Sequence, residues 1–241
     1  GIFKAPFDIL ADKLRGYVGL VSDMLTQPDK VLAACEALMP HLYHVAQSGA
    51  DPEGHVPIGF WMHRGCVPFF SPDQFESHYW PTLKPIIEAL WARGHQTLFY
   101  GEGNWDYHLE RFRELPDKSI VFHVDRTDMK KAHAVLGDKF CLSGGIPNAL
   151  LSYGTPDDVR AVCKEVIDTA GRDGGFIMDA SAIIQNDARP DNIRAMTDFT
   201  REYGRYGTAP VAAVPPRVND GALKSGWPAE FPADTLPGGC I

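Results

Sequence analysis

The chain has 241 residues, is 44% hydrophobic and 22% charged, and carries a net charge of −8 with a pI near 5.5. That balance suits one sizeable globular core, and an acidic chain without a Lys/Arg block argues against nucleic acid or an anionic membrane surface as partner. No apolar run approaches the roughly 20 residues of a membrane-spanning helix.

In chain order, Gln27-Pro28-Asp29 opens a helix that carries Leu32, Cys35, Met39 and Leu42 at near-helical spacing. Val56 to Met62 reads as a strand. Ser71-Pro72-Asp73-Gln74 is a capped helix start, and that helix runs to Arg93-Gly94 with a kink or break expected at Pro81 and Pro85. Gln96 to Tyr100 is the next strand, followed by the turn Gly101-Glu102-Gly103-Asn104 and a short helix over Asp106 to Glu114. Ser119 to Val124 and Lys139 to Leu142 are strands, with a helix from Asp128 to Leu136 between them. Thr155-Pro156-Asp157-Asp158 opens a helix whose stripe is Val159, Val162, Cys163, Val166, Ile167 and Ala170. A strand from Phe176 to Asp179 and a helix from Pro190 to Tyr203 complete the series. The strands read as apolar throughout, as parallel strands covered on both faces do.

This order predicts an α/β protein of about five strand–helix units, an incomplete (β/α)8 barrel or an open parallel sheet. Residues 1–206 are expected to form the barrel portion and 207–241 an extended Pro- and Gly-rich tail. Cys35, Cys66, Cys141, Cys163 and Cys240 show no CxxC spacing, which predicts reduced thiols and a cytoplasmic protein. A start at Gly1 points to a processed or cut product, and no secretory leader is visible.

In a parallel barrel the side chains just after each strand converge on one rim. Here they are His63, Arg64 and Cys66; Tyr100, Glu102, Asn104 and Asp106; His123, Asp125 and Arg126; Ser143 and Asn148; and Asp179 and Ser181. Two histidines with several carboxylates and arginines suit either a metal or an anion with a general acid/base pair. Glu102, His123 and Asp125 are the expected catalytic set. His63, Arg64, Tyr100, Asn104, Arg126, Ser143 and Asp179 are expected to contact substrate. His63, Glu102 and His123 are the combination that imidazole and carboxylate chemistry allows for zinc. Gly144-Gly145 is a tight turn and no phosphate loop, since neither GxGxxG nor GxxxxGK[ST] occurs.

The wording of the chain resembles the uroporphyrinogen decarboxylase superfamily, which includes methyltransferases that serve corrinoid proteins. The resemblance rests on Leu14-Arg15-Gly16, Gln27-Pro28-Asp29-Lys30, Ser71-Pro72-Asp73-Gln74-Phe75, Trp80-Pro81 and Leu136-Gly137-Asp138. It continues through Ser143-Gly144-Gly145-Ile146-Pro147, Gly154-Thr155-Pro156-Asp157-Asp158-Val159, Gly174-Gly175-Phe176-Ile177 and Arg189-Pro190-Asp191-Asn192-Ile193. It implies a (β/α)8 barrel of which this chain supplies the C-terminal two-thirds, with the family's substrate-binding arginines lying before its start. The superfamily's methyltransferases bind zinc through His-x-Cys and a later Cys. The matching positions here are Tyr100-Gly101-Glu102 and Ala182, so the usual ligands are absent.

The resemblance therefore implies an enzyme with an altered site. The leading expectation is methyl transfer between a small-molecule substrate and a cobalamin carried by a partner protein. The alternatives are a decarboxylase (a lyase) and a non-catalytic subunit. An oligomer, or a chain supplying the missing strands, is expected as partner.

Overall fold

The computed structural model describes residues 1–206; the expected tail, 207–241, lies outside the described residues. Six strands form one sheet in sequence order, all parallel: β1 (Ile2–Lys4), β2 (Ile58–Met62), β3 (Thr97–Gly101), β4 (Ile120–Val124), β5 (Cys141–Ile146) and β6 (Phe176–Ala180). β1 and β6 do not pair with each other, so the barrel is not closed. The five strands read from sequence are all present, within a few residues of their expected bounds. β1 is the addition. Three residues are too few to show a period, and β1 is held by its register on β2.

Ten α-helical segments accompany the strands among the described residues. α1 (Pro6–Ile9), α2 (Tyr17–Thr26) and α3 (Pro28–Ser48) lie between β1 and β2. α4 (Pro72–Gln74) and α5 (Trp80–Ala92) lie between β2 and β3, and α6 (Leu109–Phe112) between β3 and β4. α7 (Met129–Leu136), α8 (Asn148–Tyr153), α9 (Pro156–Val166) and α10 (Pro190–Tyr203) follow. The break expected at the prolines of the Ser71–Gly94 helix falls earlier. A single π-helical turn, Phe75–Tyr79, joins α4 to α5, and Pro81 sits in the first turn of α5, where no amide hydrogen is needed.

The register explains the core. Phe3, Phe60, Phe99, Phe122, Leu142 and Phe176 occupy one line across the sheet. Phe3–Phe60 and Phe60–Phe99 ring centroids lie 4.6 and 5.3 Å apart, and Phe112 of α6 meets both Phe99 and Phe122 at 5.6 and 5.4 Å. Each such ring, fully buried, contributes about 2–3 kcal/mol. The opposite face carries Lys4, Trp61, Tyr100, His123, Ser143 and Ile177 in line. That face is only partly covered: Trp61 and Tyr100 are half-buried, and Ile177 is 52% exposed. β2 and β3 thus alternate in burial and do not read as uniformly covered, because no complete layer among the described residues packs on this side.

The expected caps form. Ser71 and Thr155 each make reciprocal capping boxes, with Gln74 and Asp158, and Asp128 accepts from the Lys131 amide. Thr155→Ala is expected to lower stability by about 1 kcal/mol in urea unfolding, since it strips the acceptor from the Asp158 amide. A change under about 0.3 kcal/mol would show that water replaces the cap. No helix among the described residues is long and apolar enough to cross a membrane.

Candidate functional site

The half-open face ends, two residues beyond the Trp61–Tyr100–His123 line, in His63, Glu102 and Asp125. The period of two along a strand puts these three on the same face as the aromatic line. They meet two cavities. One, about 580 Å³, is lined by His63, Arg64, Cys66, Asn104, Asp125 and Arg126 among others. The other, about 510 Å³, is mainly apolar, with Ile2, Ile9, Leu42, Trp61 and Ile183. His63 and Glu102 line both. Their side chains join there, His63 Nδ1 to Glu102 Oε2 at 2.8 Å, each about a quarter exposed.

The mount of this pair is a residue that sequence reasoning did not single out. Asp8, at the start of α1, is completely buried. Its carboxylate accepts from the amides of His63 (3.2 Å) and Arg64 (2.8 Å) and from the Tyr79 hydroxyl (2.9 Å). Burial pushes its pKa up to about 6, against those hydrogen bonds. Tyr79 reaches it from the π-helical turn before α5, and burial followed by the Asp8 charge raises its own pKa. Asp12, on the π-helical turn after α1, takes both Lys4 Nζ (2.7 Å) and Arg64 Nε (3.1 Å). Despite its partial burial, those two cations hold it below the usual carboxylate range. The guanidinium of Arg64 also lies over the Phe69 and Tyr17 rings, at 4.8 and 5.2 Å. The signal for Asp8 was an acid in the first helical turn after a strand too short to recognise.

Other expected residues are placed differently. His123 does not pair with Asp125. It stacks on Tyr100 at 4.3 Å, and its ring nitrogens bond Ser143 Oγ (3.2 Å) and the Ser181 carbonyl (2.9 Å). Burial lowers its pKa, so both nitrogens serve as a neutral strut between β4, β5 and the loop after β6. Asp125 accepts from the Gly103 amide at 2.8 Å, shaping the turn beside Glu102. That turn needs Gly103: its φ is +90°, and a Cβ would lie 2.5 Å from Cys66 Sγ. Asn104 caps the Asp106 amide, Asp106 takes the Asp128 amide, and Asn148 donates to the Ile183 carbonyl. These three organise loops.

Cys66 donates to the His63 carbonyl (3.2 Å), and burial pushes its thiol up to about 11, which leaves no thiolate for nucleophilic work near neutral pH. Tyr100 is pushed up to about 12 by burial and then by Asp179, Glu102 and Asp125. Asp179 stands exposed at the end of β6 and takes the Ala180 amide. Arg126 is exposed, and its guanidinium has no ion pair among the described residues.

The expected zinc set is not assembled. His63 meets Glu102, His123 is turned to Ser143 and Ser181, and no group of three His, Cys, Asp or Glu side chains suited to a metal occurs among the described residues. The side chains present therefore do not fit zinc.

Comparison with known proteins adds the following. The profile of the family described as uroporphyrinogen decarboxylase (URO-D) matches residues 1–203. The uroporphyrinogen decarboxylase of Chlorobium luteolum is 32% identical over 78 residues, 31% of this chain and 22% of that protein. That of Chlorobium phaeovibrioides is 30% identical over 78 residues, with the same coverage of 31% and 22%. The match thus spans about a fifth of these relatives' length. A methyltransferase from Methanosarcina mazei superposes with a TM-score of 0.68 at 17% identity, over 84% of this chain and 58% of that one. That likeness shows a shared fold.

Proposed function

The chain belongs to the uroporphyrinogen decarboxylase family, and from that premise we propose that it works in methyl transfer between a small molecule and a corrinoid. The observation that carries this reading is the charge balance of the rim. Lys4 and Arg64 are both engaged by Asp12, leaving Arg126 as the rim cation without an ion pair among the described residues. Glu102, Asp125 and Asp179 supply negative charge to the same face. Decarboxylation of a polyacidic porphyrinogen calls for several convergent cations, and the described strand ends offer three carboxylates against one unpaired cation, a balance that suits a less acidic ligand. The fold shared with the Methanosarcina mazei methyltransferase is compatible with the methyl-transfer reading.

The corrinoid would arrive on a partner protein and supply the cobalt that carries the methyl group. This chain's own work is to bind and orient the small molecule in the two cavities and to handle its proton. Decarboxylation is the second reading, favoured by the activity in the Chlorobium relatives' name.

The purified chain is incubated with cob(I)alamin and, separately, methanol, methylamine and methoxybenzoate, and methylcobalamin is followed by its absorbance. Uroporphyrinogen is tested in parallel for CO2 release. Methylcobalamin formation from any donor is the expected result. CO2 release without methylcobalamin would replace this reading with the decarboxylase.

A further inference from the structure

We propose that His63 handles the proton at this site through Nε2, and that Glu102 is its positioning residue. The inference deepens the enzymatic reading above and holds for either reaction, because both move a proton.

The His63 ring is fixed from three sides. Its backbone amide is held by Asp8, its Nδ1 by Glu102 at 2.8 Å, and its plane lies 14° from that of Trp61. With Glu102 ionised, Nδ1–H donates to the carboxylate, and the lone pair is on Nε2. That atom is shut off from bulk water and has no hydrogen-bond partner. A buried polar atom left unpaired marks either strain or function, and His63 Nε2 is one of several here, set apart by its place.

Three of the buried histidines make the contrast. His78 and His123 have both nitrogens bonded. His108 also has an unpaired Nε2, but it stacks on Phe75 at 3.9 Å, and burial lowers its pKa to about 4. It is a neutral core residue. His63 alone of these four lines the two cavities, and it does so at their common wall. The proposed partner for Nε2 is a group of a ligand that seats against this wall and reaches the ring.

The geometry points to a ligand with an apolar body beside Trp61 and a reacting hydroxyl at the His63–Glu102 pair. In the step, the ligand O–H bond breaks, its electron pair stays on oxygen, and the proton binds Nε2. The resulting imidazolium is balanced by the Glu102 carboxylate. In the reverse direction the imidazolium gives its proton to a leaving oxygen or, in decarboxylation, to the carbon that keeps the electron pair when CO2 departs. A base oriented by a carboxylate is the general arrangement for such transfer.

The test uses the full chain and whichever reaction the wild type performs, methyl transfer or CO2 release, so the choice between those reactions does not decide this result. His63→Gln is expected to lower kcat about 100-fold with KM within about threefold, and added imidazole is expected to restore part of the rate in His63→Ala. Glu102→Gln is expected to lower kcat about tenfold and to move the acidic limb of the pH–rate profile. A His63→Gln variant with wild-type kcat would overturn the proposal. Independently of activity, 15N-histidine NMR of the wild type is expected to show His63 as the Nδ1–H tautomer. A protonated Nε2 in the neutral ring would overturn it as well.

Discussion

Replacing Asp8 by Ala is expected to remove about 4 kcal/mol of stability near pH 4 and only about 1 kcal/mol near pH 8. The first figure follows from three buried donors, the Tyr79 hydroxyl and the amides of His63 and Arg64, that lose their acceptor together. An unsatisfied buried donor costs about 1–3 kcal/mol, and relaxation recovers part of it. The second figure follows from linkage. The folded pKa is about 6 against an ordinary 3.8, so the folded state favours the protonated carboxyl. The stability from that preference is complete below pH 3.8 and is lost as the pH rises through 6. The gap corresponds to about 3 kcal/mol. The alanine variant lacks this titration, and the difference between the two proteins shrinks as pH rises. Urea unfolding from pH 4 to 8 measures it, with Asp8→Asn as a milder variant that also removes the titration. A difference independent of pH would show that Asp8 is not a buried titrating group.

The same substitution reaches the site, because Asp8 holds the backbone from which His63 and Arg64 project. The asymmetry of the pair follows from this. Glu102 orients the imidazole through one contact, while Asp8 sets where the imidazole starts.

Gly144→Ala is expected to be the most damaging glycine substitution in the sheet, with a loss of roughly 3–5 kcal/mol. Gly144 has φ +96°, a region that an L side chain enters only under strain. An added Cβ would lie 2.4 Å from the Val124 carbonyl oxygen and 3.2 Å from the Val124 nitrogen. Both atoms belong to β4, the neighbouring strand in register, so no flexible side chain can yield. Gly59→Ala on β2 is the control. Its added Cβ meets nothing closer than the Ile2 side chain at 3.4 Å, and a change within about 1 kcal/mol is expected. Thermal and urea unfolding of both variants give the comparison. Equal effects would mean that β5 can shift away from β4. If Gly144→Ala does not accumulate as folded protein while Gly59→Ala does, the ordering holds.

Local chemistry carried much of the fold. Pro at a first helical turn, a capping residue before it and a helical stripe located α9 and α10, and apolar runs bounded by Gly located β2 to β6. The same patterns placed His63, Glu102, Asp125 and their neighbours just after a strand, while Tyr100, His123, Ser143 and Asp179, expected there too, lie within β3, β4, β5 and β6. The family was legible too, since its wording lies in turns and caps whose residue types are dictated locally.

The partners were not legible. His63, Glu102, His123 and Asp125 share one face, and spacing treats them alike. Which histidine meets which carboxylate depends on ring orientation, on the Tyr100 stack, and on the Ser181 carbonyl 58 residues away. Asp8 was hidden for a similar reason, since β1 is too short to announce itself and the acid's partners come from the turn after β2 and the π-helical turn before α5. Residue type and local spacing thus determined the elements and the candidate set. Tertiary packing alone decided which candidates are satisfied within the fold and which nitrogen is left for a ligand.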